Sequence, residues 1–188
     1  VQTQAKEQLQ KTIKCKFEMA PKTDLRSQLI GAWELQSYCA YRISDPTDKV
    51  YPLGPDAKGM IMYTPDSHMS AHLLRPGQPV FASGDGVSSG TEAEWAEAGR
   101  NYVAYTGRFF LDDSKAEPLL LHEMRVSNIP KLVGDTQRRT VFITEEEDGT
   151  YLNLGVSRES LVMGEMRVIK VRWKRMEDNH AKAPPARL

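Results

Sequence analysis

From Trp33 onward, apolar and polar positions alternate. Trp33, Leu35, Ser37, Cys39 and Tyr41 interleave with Glu34, Gln36, Tyr38, Ala40 and Arg42. The second set carries the charges, so the pattern predicts a strand whose first set faces inward. Residues 44–48 read as a turn, followed by a short strand through Val50 and Tyr51 that Pro52 and Pro55 end. Residues 58–63 and 68–74 form a hairpin about the turn-rich Thr64-Pro65-Asp66-Ser67. Further strands are expected at 102–111, 118–126, 138–144, 151–155 and 166–175, with Asp148-Gly149 as a hairpin turn. Many short, closely spaced strands predict an all-β, antiparallel barrel of about nine strands. Closure would remove the sheet edges that otherwise pair between molecules.

The non-strand segments are few. Residues 1–23 read as a helical N-terminal extension, polar over 2–14 with Leu9 and Ile13 on one face, and broken at Pro21. Asp24 caps one or two helical turns that Gly31 stops. Residues 75–90 form a Gly-, Pro- and Ser-rich loop, long enough to serve as a lid or pocket rim. Thr91 and Glu94 make a capping box that opens one inserted helix over 92–100, with Trp95 and Ala98 turned toward the body. The tail, 177–188, is polar and reads as frayed. The expected organisation is an extension (1–23), a barrel domain (24–176) and a tail.

Charge narrows the partners. Lys+Arg and Asp+Glu both number 25, with no basic patch, so neither nucleic acid nor an anionic membrane is expected as a partner. No apolar run approaches the ~20 residues of a membrane helix. Val1 to Met19 is polar with scattered lysines and does not read as a signal peptide. Cys15 and Cys39 read as free thiols, which suits a cytoplasmic location.

Several segments carry a family resemblance. Leu29-Ile30-Gly31-Ala32-Trp33, a short helix followed by Gly-x-Trp and the first strand, resembles the opening of lipocalins. The runs Tyr51-Pro52-Leu53-Gly54-Pro55-Asp56-Ala57-Lys58-Gly59, Met62-Tyr63-Thr64-Pro65-Asp66, Met69-Ser70-Ala71, Arg75-Pro76, Tyr102-Val103-Ala104-Tyr105-Thr106-Gly107 and Trp173-Lys174-Arg175 resemble the lipocalin-like domain proteins of bacteria and fungi. The resemblance spans about residues 29–175. It implies a lipocalin-like barrel in which Trp33 closes one end and Arg175 or Arg172 packs across it. Several fungal members lie among enzymes of secondary metabolism, and related barrels there act as cyclases or isomerases. His72 stands where relatives are expected to carry Gln or another polar residue.

Candidate chemistry comes from residue type and placement. No phosphate loop, dinucleotide fingerprint, HExxH or Gly-x-Ser-x-Gly motif is present, so no cofactor is expected. His68 and His72 would lie about 13 Å apart along a strand, too far for one ion, so no metal is expected. His72 and His122 are the candidate acid–base groups, since imidazole exchanges protons near neutral pH. Tyr63 and Tyr105 are candidates to polarise a carbonyl or stabilise an enolate. Trp33, Ser37, Tyr41, Met62, Ser70, Leu73, Phe109 and Arg125 are the candidate substrate-binding residues. An inward Arg125 would anchor a carboxylate or an enolised oxygen, whereas Arg108 is expected to face solvent.

The expected function is a cofactor-independent cyclase or isomerase, a pericyclase included, acting on a hydrophobic, oxygenated secondary metabolite. The barrel would fold that substrate and exclude water. Two alternatives stand beside it: a non-catalytic binding or carrier protein, and a structural barrel filled by its own side chains. The partner is a hydrophobic small molecule, and the choice between monomer and homodimer is open.

Overall fold

The computed structural model describes residues 24–82, 89–156, 158–180 and 182. The expected N-terminal helical extension, Cys15 and most of the tail lie outside the described residues.

A five-residue helix, α1 (Leu25–Leu29), opens the domain. Asp24 caps it by accepting a 2.7 Å hydrogen bond from the Ser27 amide. Strand β1 (Gly31–Arg42) follows, and β2 (Asp45–Val50) pairs with its far end. Next come β3 (Lys58–Tyr63), β4 (His68–Leu74), helix α2 (Glu92–Arg100), β5 (Tyr102–Asp112) and β6 (Leu119–Ser127). A 3-10 turn at Pro130–Leu132 leads to β7 (Thr136–Glu146), β8 (Gly149–Gly155), β9 (Ser160–Val162) and β10 (Glu165–Arg175). All pairings are antiparallel. Eight strands run in the order β1-β3-β4-β5-β6-β7-β8-β10, and β10 pairs back onto β1 to close the barrel. Strands β2 and β9 hang on its open rim. No helix among the described residues is long and apolar enough to cross a membrane.

Two differences from the expected strands have local causes. The turn expected at 44–48 sits at Ile43-Ser44, and Asp45–Val50 is extended. Asp48 there accepts from the buried Arg167 guanidinium, at its carbonyl (2.8 Å) and its carboxylate (3.2 Å), which ties β2 to β10. The tenth strand, β9, arises from a tight turn at Met163 (φ 51°) and Gly164 (φ 86°), a pair of positive φ values that twists a two-residue hairpin correctly.

The end formed by the start of β1 and the end of β10 is plugged. Trp33 has no exposed surface, and its indole N–H donates to the Leu29 carbonyl at 2.9 Å. The Arg175 guanidinium stacks over the Trp33 ring at 4.0 Å. It also donates to the carbonyls of Ile30 (3.0 Å) and Gln28, two of the acceptors that a helix end leaves unpaired. Arg175, and not Arg172, therefore plays the part expected of a last-strand arginine. Arg172 lies outside, over Tyr151 and paired with Glu146. Ile61, Tyr63, Met69, Phe109, Leu120 and Leu152 fill the barrel above the plug and are almost wholly buried.

Gly107 permits a kink in the wall. A β-carbon there would run into the Glu123 carbonyl oxygen. The β5–β6 register shifts at this point: Thr106 pairs with Val126 and Gly107 with Met124, which leaves Arg125 as the bulged residue.

Candidate functional site

The other half of the barrel is hollow. A cavity of about 200 Å³ lies between the plug-side core and the open rim. Leu73 of β4, Val103 of β5, Leu154 of β8, and Ile169 and Val171 of β10 form apolar walls. Trp173 lies toward the plugged end. Ile129 and Leu132, from the connection between β6 and β7, complete the lining at the rim. None of the described residues of the 75–90 loop or α2 lines this cavity; Gln78 and α2 line a second, more open hollow that meets it at Ile129. Helix α2 instead holds Trp95 edge-on to Phe81 at 4.9 Å, with the indole N–H donating to the Ser89 carbonyl at 2.8 Å.

Four polar side chains reach the cavity: Tyr38, Tyr105, Gln137 and Arg139. Burial raises the Tyr38 and Tyr105 pKa values above that of an ordinary phenol, although the nearby Arg139 charge pulls both the other way. Both hydroxyls therefore keep their protons near neutrality. Arg139 donates to the Gln137 side-chain oxygen. Trp173 brings an indole N–H that is buried without a hydrogen-bond partner.

Below the cavity lies a buried pair. The Tyr63 hydroxyl is 3.0 Å from His122 Nε2, and His122 has no exposed surface. Desolvation, with Arg139 adding to it, lowers the His122 pKa to about 3, so the ring is neutral. We assign Tyr63 as the donor, which puts the ring proton on Nδ1. That Nδ1 has no partner. Burial also pushes the Tyr63 hydroxyl well above its ordinary pKa.

The expected site residues divide by strand phase. Leu73 and Tyr105 line the cavity. Tyr63, His122 and Phe109 face inward but sit in the packed core, where Phe109 meets Tyr63 edge-on at 5.2 Å. Trp33 is part of the plug.

The remaining expected residues require correction, because their side chains face outward. His72, Ser70 and Met62 share the outer face of the β3–β4 hairpin, since the buried Ile61 and Ala71 pair in register on the inner one. There His72 Nε2 lies 3.0 Å from Ser70 Oγ and Nδ1 lies 2.6 Å from the Tyr102 hydroxyl, with the ring exposed. Ser37 and Tyr41 also face outward. A β-bulge between Leu35 and Ser37 reverses the alternation, so Tyr38 pairs with inward Val171 while Ser37 pairs with outward Arg172. Arg125 is half-exposed on its own bulge, 3.7 Å from Glu123. Arg108 faces solvent as expected, 2.7 Å from the same carboxylate.

Sequence reasoning missed Tyr38, Gln137 and Arg139. A signal for the last two was present. Val141 and Ile143 fix the phase of β7, and counting back by two places Gln137 and Arg139 on the same inner face.

Comparison with known proteins agrees with this architecture. Residues 30–176 match the family described as the lipocalin-like domain. The chain belongs to that family. This lipocalin-like chain is also 33% identical over 112 residues to the 4'-hydroxy-3'-methoxypropiophenone carrier protein ppsC of Aspergillus oryzae. The alignment spans 57% of this chain and 96% of that relative.

Proposed function

We propose that this lipocalin-like barrel binds a small, oxygenated aromatic molecule in its cavity and carries it unchanged. The observation that supports this best is the cavity itself: partly open at the rim, apolar on most sides, and supplied with a few polar groups that can orient a guest. Its volume of about 200 Å³ exceeds the roughly 150 Å³ that accommodates benzene in a dry protein cavity. One ring with short substituents therefore fits. A relative named as the carrier of a substituted propiophenone supports the same reading. A product of secondary metabolism would have this chemistry.

The geometry gives less support to cyclisation or isomerisation. A proton-transfer mechanism needs a group that accepts a proton near neutrality. His72 is outside the barrel, and His122 is a very weak base whose Nε2 is engaged by Tyr63. The cavity tyrosines are protonated, and an arginine does not act as a base.

The test uses 4'-hydroxy-3'-methoxypropiophenone as probe, followed by quenching of Trp fluorescence and by calorimetry. Saturable one-to-one binding is expected, with the probe recovered unchanged by chromatography after prolonged incubation. Leu73→Trp, which fills the cavity, should weaken binding roughly tenfold or more, the loss of about 1.4 kcal/mol. Absence of saturable binding, conversion of the probe, or full affinity in Leu73→Trp would each overturn the proposal.

A further inference from the structure

We infer that the molecule taken into this cavity is an anion, whose negatively charged oxygen pairs with Arg139. The inference rests on the binding reading above and names the ligand's charge. The cavity's polar groups are out of balance. Arg42, Arg108, Arg167 and Arg172 each face a carboxylate within 3.2 Å. Arg139 pairs with no carboxylate among the described residues, although it lines an interior cavity. A guanidinium drawn partly out of water and left without a counter-charge is costly. It has five N–H donors and no acceptor, and these are only partly used, on the Gln137 side-chain oxygen and the Tyr105 hydroxyl.

The groups around it lean the same way. The Trp173 indole N–H, a donor only, is buried and unpartnered. The Tyr38 and Tyr105 hydroxyls retain protons to donate. The cavity thus offers a positive charge and a surplus of donors within apolar walls. Its complement is an aromatic ring bearing an acceptor-rich anionic oxygen, held by the planar fork of Arg139. A carboxylate supplies that oxygen at neutral pH. A phenolate supplies it when a carbonyl para to the hydroxyl delocalises the charge and makes the phenol more acidic. Gln137 and Tyr105 orient the guanidinium and leave its remaining N–H groups for the guest.

Three probes of similar size separate the possibilities by calorimetry on the full chain at pH 6 and pH 8.5: 4-methoxybenzoate, 4'-hydroxypropiophenone and its non-ionisable methyl ether, 4'-methoxypropiophenone. At pH 8.5 at least one of the two anions is expected to bind roughly tenfold or more tightly than the ether, as a charge-assisted hydrogen bond implies. If phenolate is the source, the preference for the hydroxyketone over the ether grows between pH 6 and pH 8.5. If carboxylate is the source, 4-methoxybenzoate holds its preference at both values. Arg139→Gln should collapse the anion-to-ether ratio toward one, and Arg139→Lys should restore part of it. An ether that matches both anions in the wild type overturns the inference while leaving the binding reading intact. So does an anion preference that survives in folded Arg139→Gln. The wild-type ratios decide the matter even if that variant does not fold. Failure of all three probes to bind would overturn the binding reading itself, and the inference with it.

Discussion

His122 should make the fold sensitive to mild acid, and the size of the effect follows from its burial. In the unfolded chain its pKa is the ordinary 6.5, whereas in the barrel it is about 3. The folded pKa is depressed, so the neutral ring supports the native state fully above 6.5. That support is lost as pH falls toward 3, because the unfolded chain binds the proton first. Between pH 7 and pH 5 the unfolded chain takes up most of a proton at this site while the folded chain takes up almost none. At about 1.4 kcal/mol per pH unit below 6.5, the loss is about 2 kcal/mol. For a urea m-value of about 2 kcal/mol per molar, that moves the midpoint by roughly 1 M. The assay is urea unfolding at pH 7, 6 and 5, followed through the buried Trp33 and Trp173, for wild type and His122→Gln. Glutamine preserves an acceptor for the Tyr63 hydroxyl but does not titrate. Carboxylates such as Glu123, which Arg108 holds below the usual range, contribute equally to both proteins and cancel in the difference. The wild type should lose about 2 kcal/mol more than the variant over this interval. Equal losses would refute the neutral, desolvated state of His122 and the tightness of the core around it.

Two other substitutions probe the frame of the site, both by thermal unfolding. Arg175→Ala removes the guanidinium stacked on Trp33 and uncovers the Gln28 and Ile30 carbonyls; a loss of about 2 kcal/mol, or roughly 4–8 °C, is expected. Gly107→Ala places a β-carbon against the Glu123 carbonyl, and should cost on the order of 2 kcal/mol. An unchanged melting temperature in either variant would count against the packing described.

Much of the fold is legible because the turns carry chemical signals. Pro65, Asp66 and Ser67 bound β3 and β4, and the Thr91–Glu94 capping box starts α2 where it was expected. Bulges and unusual turns carry weaker signals. Nothing in Leu35-Gln36-Ser37 announces that the alternation reverses there, and Met163-Gly164 is not a favoured hairpin pair. The site was legible in so far as phase was applied consistently. Leu73 and His72 are neighbours on one strand and cannot both face the interior; the apolar Met69, Ala71 and Leu73 set decides it. The same holds for Tyr63 against Met62. Arg139 escaped notice because charge usually marks the outer face, and only the phase of Val141 and Ile143 overrides that expectation.

The plug has a consequence for how the chain folds. Arg175 and Ile30 are 145 residues apart in sequence, yet they meet in one hydrogen bond. The first and last strands of the ring are zipped together along most of their length. Closing so long a loop costs chain entropy, which is recovered only when the seam forms. Ring closure is therefore a late, high-contact-order event, and before it β1 and β10 are two bare edges. The same seam brings the two ends of the ring side by side in space. A chain cut in the β5–β6 connection and joined across the plug would keep every pairing of the barrel. It would then replace a contact that spans 145 residues with a local one.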